Sequence, residues 1–194
     1  MSKLYFRYSA MGAGKSLDLL KVAYNYEERG MRVALYNSQL DTRYETGSIA
    51  SRTGISKQAI PFSTQTNFYD HFLESFFNKD IKISCILIDE AQFLKKEQVS
   101  QIRRLVNKFD IPVICYGLRT DFQAELFEGS LWLMAWADEI EELKTICWCG
   151  RKATMNARVV NGKVVKVGEQ IMIGGNESYI ALCQIHYHKG DIGK

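Results

Sequence analysis

The 194-residue sequence has no block of one charge, no internal repeat, no low-complexity tract and no long apolar run. Without an apolar stretch of bilayer length, no membrane span is expected. The opening residues MSKLYFRYSAMGAGKS hold neither an apolar h-region nor a cleavage signature, so no secretion signal is expected either. The formal net charge is only +3 and no polybasic arm is present, which argues against binding to bulk nucleic acid. These absences point to a cytoplasmic protein. A hydrophobic fraction of 46% and a charged fraction of 24% are those of a globular chain. The length suits one good core, with room for a small appendage. Five cysteines are an odd number, and a reducing compartment disfavours disulfides. Cys85 and Cys115 lie inside the apolar runs SCILI and PVICY, where a thiol behaves as a small buried hydrophobe.

The first two thirds alternate strand and helix patterns. Lys3–Ser9, Met31–Tyr36, Ile83–Ile88 and Pro112–Tyr116 read as strands, and Lys15–Arg29, Asn67–Asn78 and Lys96–Phe109 as amphipathic helices. The alternation predicts an α/β fold: a parallel sheet with helices on both faces. Asp41–Lys57 is poor in apolar residues and reads as a mobile loop. After about Leu143, glycine, cysteine and short β-rich pieces replace the helices. There VVNGKVVKV, Val159–Val167, carries an Asn-Gly pair between β-branched runs, a hairpin signal. The expected organisation is an α/β domain over 1–143 and a small second domain over 144–194.

Three constellations carry chemistry. Ser9-Ala10-Met11-Gly12-Ala13-Gly14-Lys15-Ser16 lies between a strand and a helix. Backbone N–H groups at a helix N-terminus cradle phosphates, Lys15 reaches the β- and γ-phosphates, and the Ser16 hydroxyl ligates Mg²⁺. The loop departs from G-x-x-x-x-G-K-[ST] in having Ser9 at the first glycine. The apolar strand CILI then ends in Asp89-Glu90. Asp89 suits Mg²⁺ or its water, and Glu90 suits a base beside the γ-phosphate of ATP. Near the C-terminus, Cys147-x-Cys149 and Cys183-x-x-His186 offer four ligands for a closed tetrahedral Zn²⁺ site. His188 competes for the fourth position, and the C-x-x-H spacing favours His186. His71, on a predicted helix among aromatics, reads as structural. On these residues alone the chain is an ATP-dependent phosphotransferase acting on a small acceptor. An ATP-driven nucleic-acid motor and a nucleotide-held switch remain as alternatives, and the acceptor is not set.

Taken in order, SAMGAGKS, Asp41-Thr-Arg-Tyr44, LIDEAQF, CYGLRTDFQAELF, CWCG and IGGNESYIALCQIH resemble the type II thymidine kinase family over nearly the whole chain. The resemblance implies a RecA-like domain plus a zinc-held domain whose lasso loop covers the nucleoside. It implies transfer of the ATP γ-phosphate to the 5′-hydroxyl of thymidine or deoxyuridine, giving dTMP for DNA synthesis. It implies a homotetramer, with dTTP as feedback inhibitor. Glu90 matches the family's catalytic base, and Asp89, Ala91 and Gln92 flank it in the nucleotide site. Met11, Phe93, Leu118 and Phe122 match walls of the base pocket. Tyr179 and Gln170-Ile171-Met172-Ile173-Gly174 match the lasso, whose backbone reads the thymine edge. Arg43 and Arg52 match loop residues near the phosphates.

Overall fold

The computed structural model describes residues 1–41, 47–170 and 178–193. Along the chain run β1 (Leu4–Ser9), α1 (Lys15–Glu27), β2 (Val33–Ser38), β3 (Ser48–Ala50), β4 (Ser56–Gln58), β5 (Ile60–Phe62) and α2 (Phe68–Ser75). Next come β6 (Cys85–Ile88), α3 (Lys96–Phe109), β7 (Val113–Leu118), α4 (Glu128–Trp136) and β8 (Glu139–Glu142). The remainder is short: β9 (Thr145–Ile146), β10 (Lys152–Ala153), β11 (Met155–Val160), β12 (Lys163–Val165), β13 (Ser178–Leu182) and α5 (Gln184–Lys189). No helix among the described residues is long and apolar enough to cross a membrane.

Six strands make one sheet in the order β5-β2-β6-β7-β1-β8, and every pairing in it is parallel. Successive side chains of a strand point to opposite faces. Leu4, Phe6, Tyr36, Ile88, Val113 and Cys115 pack with α2, α3 and α4 on one face. Leu35, Cys85, Leu87, Ile114 and Tyr116 pack with α1 on the other. Both faces are covered, which is why these strands read as unbroken apolar runs rather than as alternation. Cys85 and Cys115 are buried hydrophobes, and burial pushes the Cys85 thiol up to about 12. His71 is structural too: its Nδ1 lies 2.9 Å from the Tyr36 hydroxyl and its Nε2 3.2 Å from that of Ser75.

Three expectations need correction. Part of the segment read as a loop is ordered: β3 and β4 form an antiparallel hairpin within 48–58, anchored by buried Ile49 against the α1 face of the sheet. One buried apolar side chain, a bond from Asn37 Nδ2 to the Ser48 carbonyl at 2.9 Å and an ion pair from Lys57 to Glu27 of α1 tie down a hairpin that apolar content does not announce. The second predicted helix is shorter than 67–78. Asn67 caps it by accepting from the N–H groups of Tyr69 and Asp70, and Phe76 leaves the helical region so that its ring packs on Phe72. Finally, α4 and β8 were not anticipated. EGSLWLMAW is apolar on nearly all sides and shows no helical period, while EIEE is an exposed, acidic edge strand.

Beyond β8 two small sheets follow, β10-β9 and β12-β11-β13, both antiparallel. The predicted hairpin joins β11 to β12, with Asn161 and Gly162 both at positive φ, as a two-residue turn of this twist needs. Met155, Ala157 and Leu182 on one face of this sheet pack with Cys147, Cys183 and Tyr187 into a separate small core.

Candidate functional site

In the parallel sheet β6, β7 and β1 are neighbours, so their C-terminal ends emerge side by side. Ligands of open α/β sheets bind at such an edge. The chain leaving β1 turns through Gly12 and Gly14, at φ +75° and +76°, into the start of α1. A Cβ on either glycine would meet nothing within 4 Å, so the backbone turn rather than space calls for glycine. No side chain caps α1, which leaves the N–H groups of its first turn for an anion. Buried Lys15 donates from Nζ to Ser9 Oγ at 3.0 Å. The serine that departs from the usual loop pattern thus supplies an acceptor that holds the lysine side chain.

Ser16 Oγ donates to Asp89 Oδ2 at 2.7 Å, and the second Asp89 oxygen accepts from the backbone N–H of Glu90 at 3.0 Å. Burial, and then the charge of Glu90, push Asp89 up from the usual carboxylate range, against Ser16, the Glu90 N–H and Lys15. A hydroxyl beside a buried carboxylate makes a hard oxygen pair of the kind that takes Mg²⁺. Glu90 itself sits at φ +51°, a conformation uncommon outside glycine, where β6 breaks into a 3-10 turn over Ala91–Phe93. Gln92 steadies it. The Gln92 amide donates to Glu90 Oε2 at 2.5 Å, and its carbonyl accepts from the Leu118 N–H at 3.1 Å at the end of β7.

The same turn is packed against the start of α4. A methyl at Gly129 would come within 2.4 Å of the Ala91 carbonyl oxygen and 2.9 Å of those of Gln92 and Leu94. Gly129→Ala is therefore expected to destabilise the fold by about 1–3 kcal/mol, the range for overpacking a tight contact. Urea unfolding would read this as a lower midpoint at an unchanged slope; an unchanged midpoint would mean that the turn yields freely.

On the far side of the P-loop stands β11. Asn156 Oδ1 accepts from the Met11 N–H at 2.8 Å, and its amide donates to the Thr120 carbonyl at 2.7 Å. Two residues on, Arg158 stacks over the Phe122 ring at 3.6 Å and donates to the Tyr179 hydroxyl at 2.7 Å. Gln170 reaches back to the buried Asp121 carboxylate at 2.8 Å. The structure thus brings Met11, Phe122, Gln170 and Tyr179 into one connected region, and joins Leu118 to Glu90 through Gln92. Phe93 packs edge-on against Phe127 instead, with ring centres 5.8 Å apart. Arg52 is exposed in the turn of the β3–β4 hairpin. Arg43, Ile171, Met172, Ile173 and Gly174 lie outside the described residues. Asn156, Arg158 and Asp121 were missed by sequence reasoning. In MNARVV the polar residues alternate with apolar ones, the pattern of a strand with one wet face, yet both Asn156 and Arg158 are buried.

The ligand atoms of Cys147, Cys149, Cys183 and His186 all lie within 4.8 Å of one another. His186 Nδ1 is 3.4 Å from Cys147 Sγ and 3.5 Å from Cys183 Sγ. Zinc bonds of about 2.3 Å to sulfur and 2.0–2.1 Å to nitrogen place tetrahedral neighbours about 3.5 Å apart, so the donor set fits Zn²⁺. Burial opposes ionisation of the Cys147 thiol, but the N–H groups of Cys149 and Cys183, with His186, outweigh it and lower the thiol to about 6. His186 is the fourth member because Cys183 caps α5 and the residue three on lies above it. His188 is turned about 200° further round the helix. The outer nitrogen of His186 faces the Asp191 carboxylate at 3.9 Å, and Trp148 stacks on the ring at 4.3 Å. Such outer partners fix the ring of a metal-binding histidine.

A sequence model of the thymidine kinase family matches residues 2–187. The thymidine kinase of Legionella pneumophila (strain Lens) is 55% identical over 195 residues, spanning 100% of this chain and 93% of that protein. The thymidine kinase of Haemophilus influenzae is 55% identical over 188 residues, spanning 96% of each. Among solved structures, an ATPase domain superimposes with a TM-score of 0.49 at 11% identity, over 95% of this chain and 82% of that one.

Proposed function

The chain belongs to the thymidine kinase family and is an enzyme of that activity, and from that premise we propose that it transfers the γ-phosphate of ATP to the 5′-hydroxyl of thymidine, and of deoxyuridine. The observation that carries the reading is the meeting of the P-loop with the end of β6, where the Ser16 hydroxyl bonds to Asp89 at 2.7 Å and Glu90 follows directly. In this reading Glu90 accepts the proton of the 5′-hydroxyl while the hydroxyl oxygen bonds to the γ-phosphorus. The bond from that phosphorus to the bridging oxygen breaks, and ADP leaves. Lys15 and the N–H groups of Gly12–Ser16 would balance the phosphate charge, and Ser16 and Asp89 would hold the divalent ion. Mg²⁺, when bound, would supply charge neutralisation to the leaving phosphates. Gln92 keeps the Glu90 carboxylate aimed.

Met11, Leu118 and Phe122 would wall the base, and the segment from Gln170 to Gly174, with Tyr179, would cover it. Zinc on Cys147, Cys149, Cys183 and His186 would tie the two ends of residues 144–194 together, away from the chemistry. The family resemblance further supports a cytoplasmic homotetramer inhibited by dTTP. ATP turnover with thymidine, deoxyuridine, deoxycytidine, single-stranded DNA or no acceptor tests the function. Thymidine and deoxyuridine should be phosphorylated and deoxycytidine hardly at all. Turnover stimulated by DNA, or independent of any acceptor, would replace the reading with a motor or a simple ATPase.

A further inference from the structure

Arg158 is 1% exposed, the largest of the fully buried side chains among the described residues. Arginine is almost never fully buried unless the site uses its charge and its five donors. Desolvating a guanidinium is strongly unfavourable, so a merely space-filling role would favour an apolar residue here. The position follows from strand geometry. Met155 and Ala157 point to the small apolar core, and Asn156 and Arg158 therefore point to the opposite face, toward the P-loop side. In the antiparallel register Arg158 stands directly opposite Tyr179, so their side chains share that face.

The guanidinium spends its donors on separate pieces of chain. Nε donates to the Tyr179 hydroxyl at 2.7 Å, and Nη2 donates to the Glu169 carbonyl at 3.0 Å and, at 3.5 Å, to that of Gln170. Its plane lies over the Phe122 ring at 3.6 Å. A methyl at Gly168 would sit 3.4 Å from Nη1, so the chain passes directly across the group. Two further bonds close the same region: Gln123 Nε2 to the Gly168 carbonyl at 3.0 Å, and Gln170 Nε2 to Asp121 Oδ2 at 2.8 Å.

From this we infer that Arg158 is a positioning residue for the nucleoside: one planar cation that sets the register of the Gly168–Gln170 chain against Phe122 and Tyr179 and so shapes the base site before substrate arrives. The inference rests on the proposed function for the identity of the nucleoside, but not for the positioning itself. Lysine cannot replace arginine in this role. Its ammonium is a point charge without the planar fork, and cannot stack on Phe122 while donating in two directions.

The test compares Arg158→Lys with wild type for thymidine and ATP, alongside Tyr179→Phe, which removes one acceptor and keeps the ring. A group that shapes only the nucleoside site contributes binding common to ground and transition states. Arg158→Lys should then raise KM for thymidine about 10- to 100-fold, with kcat and KM for ATP within about threefold. Tyr179→Phe should act in the same direction but less, and the double variant should fall short of the product of the two. Hydrogen exchange gives a second readout that needs no turnover. The amides of Gly168–Gln170 should exchange faster in Arg158→Lys, while those of β1, β6 and β7 keep their protection. An unchanged KM for thymidine would overturn the inference, as would parallel rises in both KM values with loss of protection throughout. Faster exchange confined to Gly168–Gln170 in a protein whose wild type ignores thymidine would sustain the positioning role and refute the proposed substrate instead.

Discussion

Glu90→Gln is expected to lower kcat by on the order of 10²- to 10⁴-fold while leaving ATP binding close to wild type. Glutamine has the size of glutamate, so the left-handed turn at φ +51° and the packing of the 3-10 turn need not change. What is lost is the proposed proton acceptor. The neighbouring Asp89 is a poor substitute, because its two oxygens already accept from the Ser16 hydroxyl and the Glu90 N–H. Gln92 adapts to the change: its amide donates to Glu90 Oε2 in the wild type and can still donate to the carbonyl oxygen of a glutamine. Single-turnover measurement with saturating ATP and thymidine separates chemistry from product release. Turnover near the wild-type rate would remove Glu90 from the role of base and leave water as the acceptor.

Cys183→Ser should abolish stoichiometric zinc and, with it, the order of the C-terminal part. Structural zinc in small domains contributes an apparent binding free energy of about 10–16 kcal/mol at neutral pH. The core around Cys147, Met155, Leu182 and Tyr187 is small, and two of its members belong to the Cys/His cluster that could hold the metal. Removing one thiolate also unseats His186, whose Nδ1 lies 3.5 Å from Cys183 Sγ and whose helix begins at that cysteine. We propose that residues 1–143 form a separate unit, since the six-stranded sheet and both of its packed faces lie there. Metal analysis should find one zinc per chain in the wild type and none in the variant. Far-UV circular dichroism should keep most of its helical signal, while thymidine phosphorylation disappears along with the base site. Complete unfolding would instead mean that the two parts fold as one, through contacts such as Tyr187 Oη to the Phe122 carbonyl at 2.6 Å and Asn156 to Met11.

The parts of this protein that local chemistry dictates were legible from residue order. The glycine spacing before Lys15, the acidic pair ending an apolar strand, the Asn-Gly turn and the four soft ligands each act through neighbours in sequence, and each lies where its pattern says. Strands buried on both faces announce themselves by unbroken apolar runs, so β1, β2, β6 and β7 were legible as well, though not their order in the sheet. Long-range placement was not. The edge strand β8 and the helix α4 carry no periodicity because one is exposed and the other is apolar all round. The β3–β4 hairpin hangs on one buried isoleucine.

The sharpest division lies in β11. Once 155–160 is known to be a strand, Met155, Ala157 and Val159 must share a face and Asn156 and Arg158 the other, because a strand repeats every two residues. Residue order also gives the glycine spacing before Lys15, the Asp89-Glu90 pair and the two short pairs Cys147-x-Cys149 and Cys183-x-x-His186 as candidates, while only the fold brings Ser16 to Asp89 and one short pair to the other. That the polar face of β11 is buried rather than wet emerges only in three dimensions, with Asn156 against the P-loop at Met11 and Arg158 against Phe122 and Tyr179. A polar side chain has the same local pattern whether water or a distant backbone satisfies it. Which of the two does so depends on segments from 21 to 145 residues away, and only packing brings those together.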